Sequence, residues 1–296
     1  MKDGPGVTDG FLVLDKPEGV TSFEALHSVK RAFGTGRVGH AGTLDRFASG
    51  VLVALIGRYA RLSEFFSATG KTYLAGIRFG TETDTLDPEG RPVAEGPAPT
   101  PEALTAALPA FHGNILQAPP AYSAVHIAGR RAYERALDGE IVRPEPRPVR
   151  VDTIDFLDYR DGRAELRIRC SKGTYVRSLA RDIALACGSR AYLESLVRES
   201  AGPFHKEDGI RPADVDVSRL LRLDPVLSKG LGLSPVFLTT DQERCFLKGL
   251  PLSAGRIPAM PSDDGFRGMF GPDGRFLGVV ECRGGRFSYK VVLGTA

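Results

Sequence analysis

Eight consecutive residues, Gly50-Val51-Leu52-Val53-Ala54-Leu55-Ile56-Gly57, form an unbroken apolar run bounded by glycines. A run of that length and composition reads as a buried strand. The segment before it is of the opposite character. Gly36, Gly39 and Gly42 fall within Gly36-Arg37-Val38-Gly39-His40-Ala41-Gly42-Thr43-Leu44-Asp45, just after Gly34. So many glycines do not suit a regular element and predict a loop with unusual backbone angles or close backbone approach. Upstream, Phe11-Leu12-Val13-Leu14 reads as a short strand closed by Asp15-Lys16-Pro17 and Gly19. Thr21 and Glu24 have capping-box spacing. The helix they open places Phe23, Leu26 and Phe33 on one side, and Gly34 is its stop.

Further along, Tyr73 to Phe79 is strand-like and leads into the acidic turn Asp84-Thr85-Leu86-Asp87-Pro88. Thr100-Pro101-Glu102 starts a helix that ends near Leu108-Pro109. Residues Gln117 to Val149 are rich in Pro and Arg, with little periodicity. They read as a long loop with a short helix near Arg131 to Leu137, and loops this long are commonly functional. Ala164 to Cys170 alternates, one face apolar and the other mostly basic. Gly173 opens a helix from Thr174 to about Cys187, striped by Val176, Leu179 and Ile183, with Arg177 and Arg181 at i, i+4. Glu207 to Leu233 reads as a connection with a short helix. Phe276 to Cys282 and Phe287 to Leu293 form a hairpin through Gly284-Gly285. Neither a βαβ cadence nor a GxGxxG loop is present, which disfavours a dinucleotide-binding fold. The expected architecture is an α+β domain with a largely antiparallel sheet, residues 1–234, followed by a small β-rich domain, residues 235–296.

The net charge of +3 over 296 residues is unevenly distributed. Lys30 to Lys71 and Arg160 to Lys206 each carry +5, and Thr81 to Glu102 carries −5. Two basic segments joined by the fold would suit a polyanion such as nucleic acid; solvated surface charge is the alternative, and charge alone leaves both open. No apolar stretch reaches the ~18 residues of a membrane helix, and Met1 to Gly10 lacks the apolar core of a secretory signal. The four cysteines, Cys170, Cys187, Cys245 and Cys282, form no CxxC pair. They read as small apolar side chains in a reducing cytoplasm, not as a metal site or disulfide framework.

Asp45 is the first candidate for chemistry, since it lies between the glycine-rich loop and the buried strand. A loop carboxylate accepting backbone hydrogen bonds is the competing interpretation. His40, five residues earlier, suggests an acid–base pair as in a hydrolase, or a structural loop histidine.

A set of motifs bears on that choice. Gly39-His40-Ala41-Gly42-Thr43-Leu44-Asp45-Arg46-Phe47-Ala48-Ser49-Gly50 resembles the GH-x-G-x-LD-x-x-A-[ST]-G signature of the TruB family of bacterial tRNA pseudouridine-55 synthases. In the same order, Leu14-Asp15-Lys16-Pro17 resembles the family's N-terminal motif and Lys71-Thr72-Tyr73 its K-x-Y motif. Gln117 to Ala124 resembles its QxPPxYSA block, Ser171 to Arg177 its SKGTYIR motif, and Leu196 to Phe204 its LxRxxxGxF segment. The tail, about residues 235–293, resembles a PUA-like domain more loosely. Arg46 stands where the family usually has Pro, and His126 where it often has Lys.

The resemblance implies a pseudouridine synthase fold and isomerisation of uridine 55 in the tRNA T-loop, with no cofactor and no metal. It assigns Asp45 as the nucleophile or base. A carboxylate in a dry pocket needs a cation beside it to stay ionised, and Arg177 is the family-matched partner. Tyr73 would stack on the flipped uracil, with its hydroxyl near the proton leaving C5. Tyr175 and Leu196 would wall the pocket, and His40 would pack against the displaced nucleotide. An everted uridine read through RNA shape and stacking calls for a basic surface. The 117–149 loop would supply it, with Lys16, Arg130 and Arg131 as phosphate contacts. The expected protein is a cytoplasmic monomer that acts without guide RNA or protein partner. Rival readings are an RNA-folding factor whose activity is incidental, a guide-RNA-dependent relative, and a His/Asp hydrolase.

Overall fold

The computed structural model describes residues 9–123, 126–127, 130–131, 140, 144–250 and 263–294. The chain begins with strand β1 (Gly10–Lys16), a helix (Ser22–Ala32), β2 (Val38–Ala41) and β3 (Ser49–Ile56). Next come β4 (Lys71–Phe79), β5 (Thr81–Thr83), β6 (Pro92–Glu95), β7 (Gly113–Gln117), β8 (His126–Ile127) and β9 (Arg130–Arg131). Two long strands, β10 (Arg147–Arg160) and β11 (Arg163–Cys170), precede the second of the two eleven-residue helices among the described residues (Val176–Ala186, hereafter the second helix; shorter helices at Ser63–Ser67 and Pro101–Ala107 come before it), then β12 (Ala191–Ala201) and β13 (Phe204–His205). The C-terminal strands are β14 (Ser234–Phe237), β15 (Gly265–Phe270), β16 (Phe276–Arg283) and β17 (Arg286–Val292).

Nine of these strands form one sheet along the path β1-β3-β12-β4-β11-β10-β7, with β2 on β3 and β13 on β12. All pairings are antiparallel except β12 with β3, which run parallel through only Val197↔Ser49 and Arg198↔Gly50. The sheet is therefore mixed and largely antiparallel, as expected. Gly50 makes the parallel contact possible. It sits at φ +102°, and a Cβ there would stand 2.3 Å from the Arg198 carbonyl oxygen. Gly50→Ala is expected to lower stability by at least ~2 kcal/mol through backbone strain and this clash. The measurement is a reduced urea midpoint at unchanged slope.

The apolar run of β3 is continuous because both its faces are covered. Leu52, Ala54 and Ile56 pack with Leu12, Leu14, Ala25, Leu26 and Val29, the last three from the first helix. Val51, Val53 and Leu55 pack with Phe11, Phe66 and Phe204, in a cluster that also takes Phe270, Phe276, Val279 and Val291 from the C-terminal strands. The C-terminal four-stranded sheet, ordered β14-β15-β16-β17, thus shares apolar core with the large one. The second helix buries Val176, Leu179 and Ile183 against β4, β11 and β12.

Several local expectations change. The glycine-rich segment is not all loop: Val38–Ala41 forms β2, with His40 opposite Ala54. The first helix carries the expected reciprocal Thr21/Glu24 cap, but Phe23 is 60% exposed and not core. Lys30 Nζ lies over its ring, 4.1 Å from the centroid, on the same helix face two turns on. The second helix starts at Val176, not Thr174. Helix Arg131 to Leu137 lies outside the described residues, apart from Arg131 in β9. The basic face of β11 is largely neutralised. Arg163 and Arg78 both pair with Glu194, and Arg167 pairs with Glu199. Cys170 and Cys282 are buried, while Cys187 and Cys245 are partly exposed, all as free thiols.

Candidate active site

The loop 42–48 joins β2 to β3 and is held from outside by the first helix. Leu44 N–H donates to Ser22 Oγ at 2.8 Å, and the same hydroxyl donates to Leu44 O at 2.9 Å. Asp45 follows directly, with its side chain 36% exposed. Arg177, the second residue of its helix, is 6% exposed and meets Asp45 side-on. Its Nε lies 3.0 Å from Asp45 Oδ2, and Nη2 donates to Oδ1 at 3.2 Å. The Nε contact is an ion pair by distance without an aligned hydrogen.

The rest of the guanidinium is also engaged. Nη1 donates to Asp87 Oδ2 at 3.1 Å and to Thr85 O at 2.8 Å, and Nη2 to Tyr122 O at 3.1 Å. One cation therefore bridges two carboxylates. Asp87 is the buried one, its side chain 7% exposed, and accepts further bonds from Thr85 Oγ1 and the Glu89 N–H. Asp45 keeps the open side. Of the two carboxylates on this guanidinium, Asp45 is the one that lines the cavity.

Arg177 is placed by the turn that precedes it. Gln117, 2% exposed, accepts from Tyr175 N–H at 2.8 Å and donates from Nε2 to Tyr175 O at 3.1 Å. Ser178 Oγ donates to Ala118 O at 2.8 Å. A side-chain amide satisfying both backbone groups of one residue fixes the start of the helix.

Asp45 opens on a cavity of about 790 Å³ lined also by Tyr73, Tyr122, Tyr175, Leu196, Arg198 and Lys71. Clefts of this size take small ligands or a single nucleotide. Tyr73, 8% exposed, stands on β4 between Ile168 of β11 and Arg198 of β12. Burial pushes its phenol up, and the neighbouring Arg198 cation opposes that shift in part. Burial likewise raises the Tyr175 hydroxyl, against the Ser123 hydroxyl and the Arg177 charge. Both rings are neutral hydroxyl carriers at pH 7. Lys71 is 7% exposed, its ammonium on Ser67 O and Thr69 O, each at 2.7 Å. Burial brings it down to about 8, helped by the Arg198 charge.

The remaining predicted residues fall elsewhere. His40 is half-buried on β2, with Nδ1 buried and, among the described residues, without a hydrogen-bond partner. Burial and then Arg198 pull its pKa down. It does not form the hydrolase-type pair with Asp45, whose carboxylate is held by Arg177. Lys16 corrects the expectation of a phosphate contact. It is 0% exposed, and its ammonium donates to Pro17 O at 2.9 Å, Val20 O at 2.5 Å and Arg46 O at 3.4 Å. Burial lowers it to about 8, opposed chiefly by the Asp45 charge. Its task is to tie the 17–20 turn to the Asp45 loop. Arg130 and Arg131 form a small ladder with Ile127 and His126; their side chains lie outside the described residues. Arg46 donates from Nε to Gly19 O at 3.0 Å and lies 3.9 Å from Glu89.

Sequence reasoning missed Asp87, Arg198 and the amide clamp of Gln117. Arg198 and Gln117 lay inside quoted motifs, so their positions carried a signal. Asp87 sat in an acidic turn, where its neighbours masked it.

A family model described as "TruB family pseudouridylate synthase (N terminal domain)" matches residues 30–176. A "tRNA pseudouridine synthase B" of Borreliella burgdorferi (strain ZS7) is 45% identical over 223 residues, covering 74% of this chain and 79% of that one. One of Corynebacterium efficiens is 41% identical over 292 residues, covering 96% of each. Among solved structures, a Cbf5 chain from an archaeal box H/ACA sRNP Nop10-Cbf5 complex superposes with TM-score 0.71 at 19% identity, covering 98% of this chain and 92% of that one. Another, from a Cbf5-Nop10-Gar1 complex, gives 0.70 at 22% identity, covering 92% and 78%. At such identities the likeness establishes the fold. The separate C-terminal sheet is consistent with a PUA-like domain. With a family model matching residues 30–176 and relatives above 40% identity across most of the chain, the protein belongs to the TruB family of pseudouridylate synthases.

Proposed function

We propose that the Asp45 cavity receives an everted uridine of tRNA, at position 55 of the T-loop, and isomerises it to pseudouridine. The observation that carries this reading is the partly exposed carboxylate of Asp45 held at 3.0–3.2 Å by a buried arginine at the edge of a nucleotide-sized cavity. The tRNA substrate follows the names of the bacterial relatives.

The reaction breaks the C1′–N1 bond, turns the uracil and joins C1′ to C5. The C5 proton leaves and N1 gains one, so neither water nor an oxidant enters the balance. Asp45 serves as nucleophile or base at the sugar–base unit. Arg177 holds it in place, and Asp87 holds Arg177 from behind. Tyr73 stacks on the base, with its hydroxyl toward the C5 proton. Leu196 and Tyr175 shield the detached uracil from water, so that it recombines before escaping. His40 packs where the base has left the RNA stack. Arg130 and Arg131 meet phosphates, but buried Lys16 does not. Residues 1–234 form the catalytic domain and 235–296 the PUA-like one. The chain acts as a monomer in the cytoplasm, without guide RNA or protein partner.

The test is to incubate the purified chain with unmodified tRNA transcript and map pseudouridine at single-nucleotide resolution. Product at the T-loop uridine alone is expected. Product only after adding a guide RNA or protein would favour the assembly-dependent reading raised by the Cbf5 complexes. Release of free uracil would favour a hydrolase.

A further inference from the structure

Arg198 is buried to 1% exposure in the floor of the cavity. Burying a cation is costly unless it is paired or fully hydrogen-bonded. Among the described residues, its guanidinium donates to three backbone carbonyls. Nε donates to Val51 O at 2.6 Å, Nη2 to Gly42 O at 3.1 Å and Nη1 to Thr43 O at 3.4 Å. Those three carbonyls bracket Asp45, two on the segment before it and one on the strand after it. A guanidinium has five N–H groups and no acceptor, so two remain. Tyr73 stands directly opposite Arg198 in the β4–β12 pairing, and both side chains line the same cavity.

That chemistry has a directional consequence. In any hydrogen bond between these two side chains, the phenol oxygen must accept. Its own hydrogen is then turned away from Arg198, toward the cavity. The backbone supports the arrangement, since Arg198 pairs with Tyr73 on one side and Gly50 on the other.

We propose that Arg198 is the positioning residue of this site: it clamps the Asp45 segment at both ends and orients the Tyr73 hydroxyl into the cavity. The proposal rests on the reading of Tyr73 and Asp45 given above, and it adds the group through which both are held in one geometry. A lysine cannot replace it, because a point charge on a flexible stem does not span three carbonyls and a phenol.

The experiment uses the full chain and unmodified tRNA transcript under single-turnover conditions, with Arg198→Met, Arg198→Lys, Tyr73→Phe and the double variants. Arg198→Met is expected to slow the step by about 100-fold, as for loss of preorganisation. Arg198→Lys should not restore the rate, and tRNA affinity should stay within about 3-fold of the parent. In the Tyr73→Phe background the Arg198 effect should shrink well below its value in the parent, since coupled residues are not additive. Full additivity, or a parental rate in Arg198→Met, overturns the proposal. A silent Tyr73→Phe overturns the reading of Tyr73 and, with it, the orienting half of the proposal. If Arg198→Met does not fold or the double variants are too slow to measure, fluorotyrosine at position 73 decides. Arg198→Lys should move its fluorine resonance and leave that of a distant control such as Tyr289 unchanged; an unmoved Tyr73 resonance overturns the assignment.

Discussion

Asp45→Asn is expected to abolish pseudouridine formation while leaving tRNA binding within about 3-fold and stability within ~1 kcal/mol of the parent. The amide matches the carboxylate in size and can accept from Arg177, so the loop has no steric reason to move. What it lacks is the charge and basicity that a nucleophile or base needs. The structural cost is small for two reasons. Asp45 is the more exposed of the two carboxylates on Arg177, and Asp87 still holds the guanidinium. A loss of at least ~10⁴-fold in single-turnover rate is expected, as for removal of a group that takes part directly in the chemistry. Rate on a tRNA transcript and affinity by filter binding check the two halves. Product at the parental rate would end the Asp45 assignment. Lost binding would indicate that the carboxylate organises the RNA surface.

Arg177→Met should behave differently, failing in stability as well as in rate. It removes the one cation between Asp45 and Asp87 and strips donors from Thr85 O and Tyr122 O. Asp87 is then a buried carboxylate that has lost its ion-pair partner, the situation that costs about 3–5 kcal/mol when one side of a buried pair is deleted. The expected result is a large fall in the urea midpoint together with a rate loss of at least ~10³-fold. Arg177→Lys should recover part of the stability and little of the rate, because a single ammonium cannot make the side-on contact with Asp45 and reach Asp87 as well. Adding Asp87→Asn to Arg177→Met should regain stability, since the neutral amide no longer suffers the lost counterion. If Arg177→Met melts like the parent, the bridge is not structural, and Asp87 is held by its turn alone.

Much of the architecture was legible because it depends on local chemistry. The run from Val51 to Ile56 announced a buried strand. Thr21 and Glu24 announced a cap, and Gly34 a helix stop. The strand over Val38–Ala41 was not legible, since its three flanking and internal glycines carry no β signal; it forms because β3 offers an unpaired edge. Spacing put Phe23 on one side of the helix with Leu26 and Phe33, yet those two are buried and Phe23 is exposed under Lys30. Lys16 was expected as a phosphate contact, and only the packed turn around it shows three carbonyls converging on its ammonium.

What the sequence by itself determined is which residue types exist to do the work: an acid after a glycine-rich turn, an arginine at a helix start, a tyrosine on a strand, each inside a motif. What only the tertiary structure decided is who holds whom. Asp45, Asp87 and Arg177 meet across separations of 132 and 90 residues, and Arg198 reaches back 147 residues to Val51. Hydrophobic periodicity specifies which face of an element is buried, but not which distant loop will supply a counterion. Sheet register and backbone approach at single glycines settle that, and they exist only once the chain has folded.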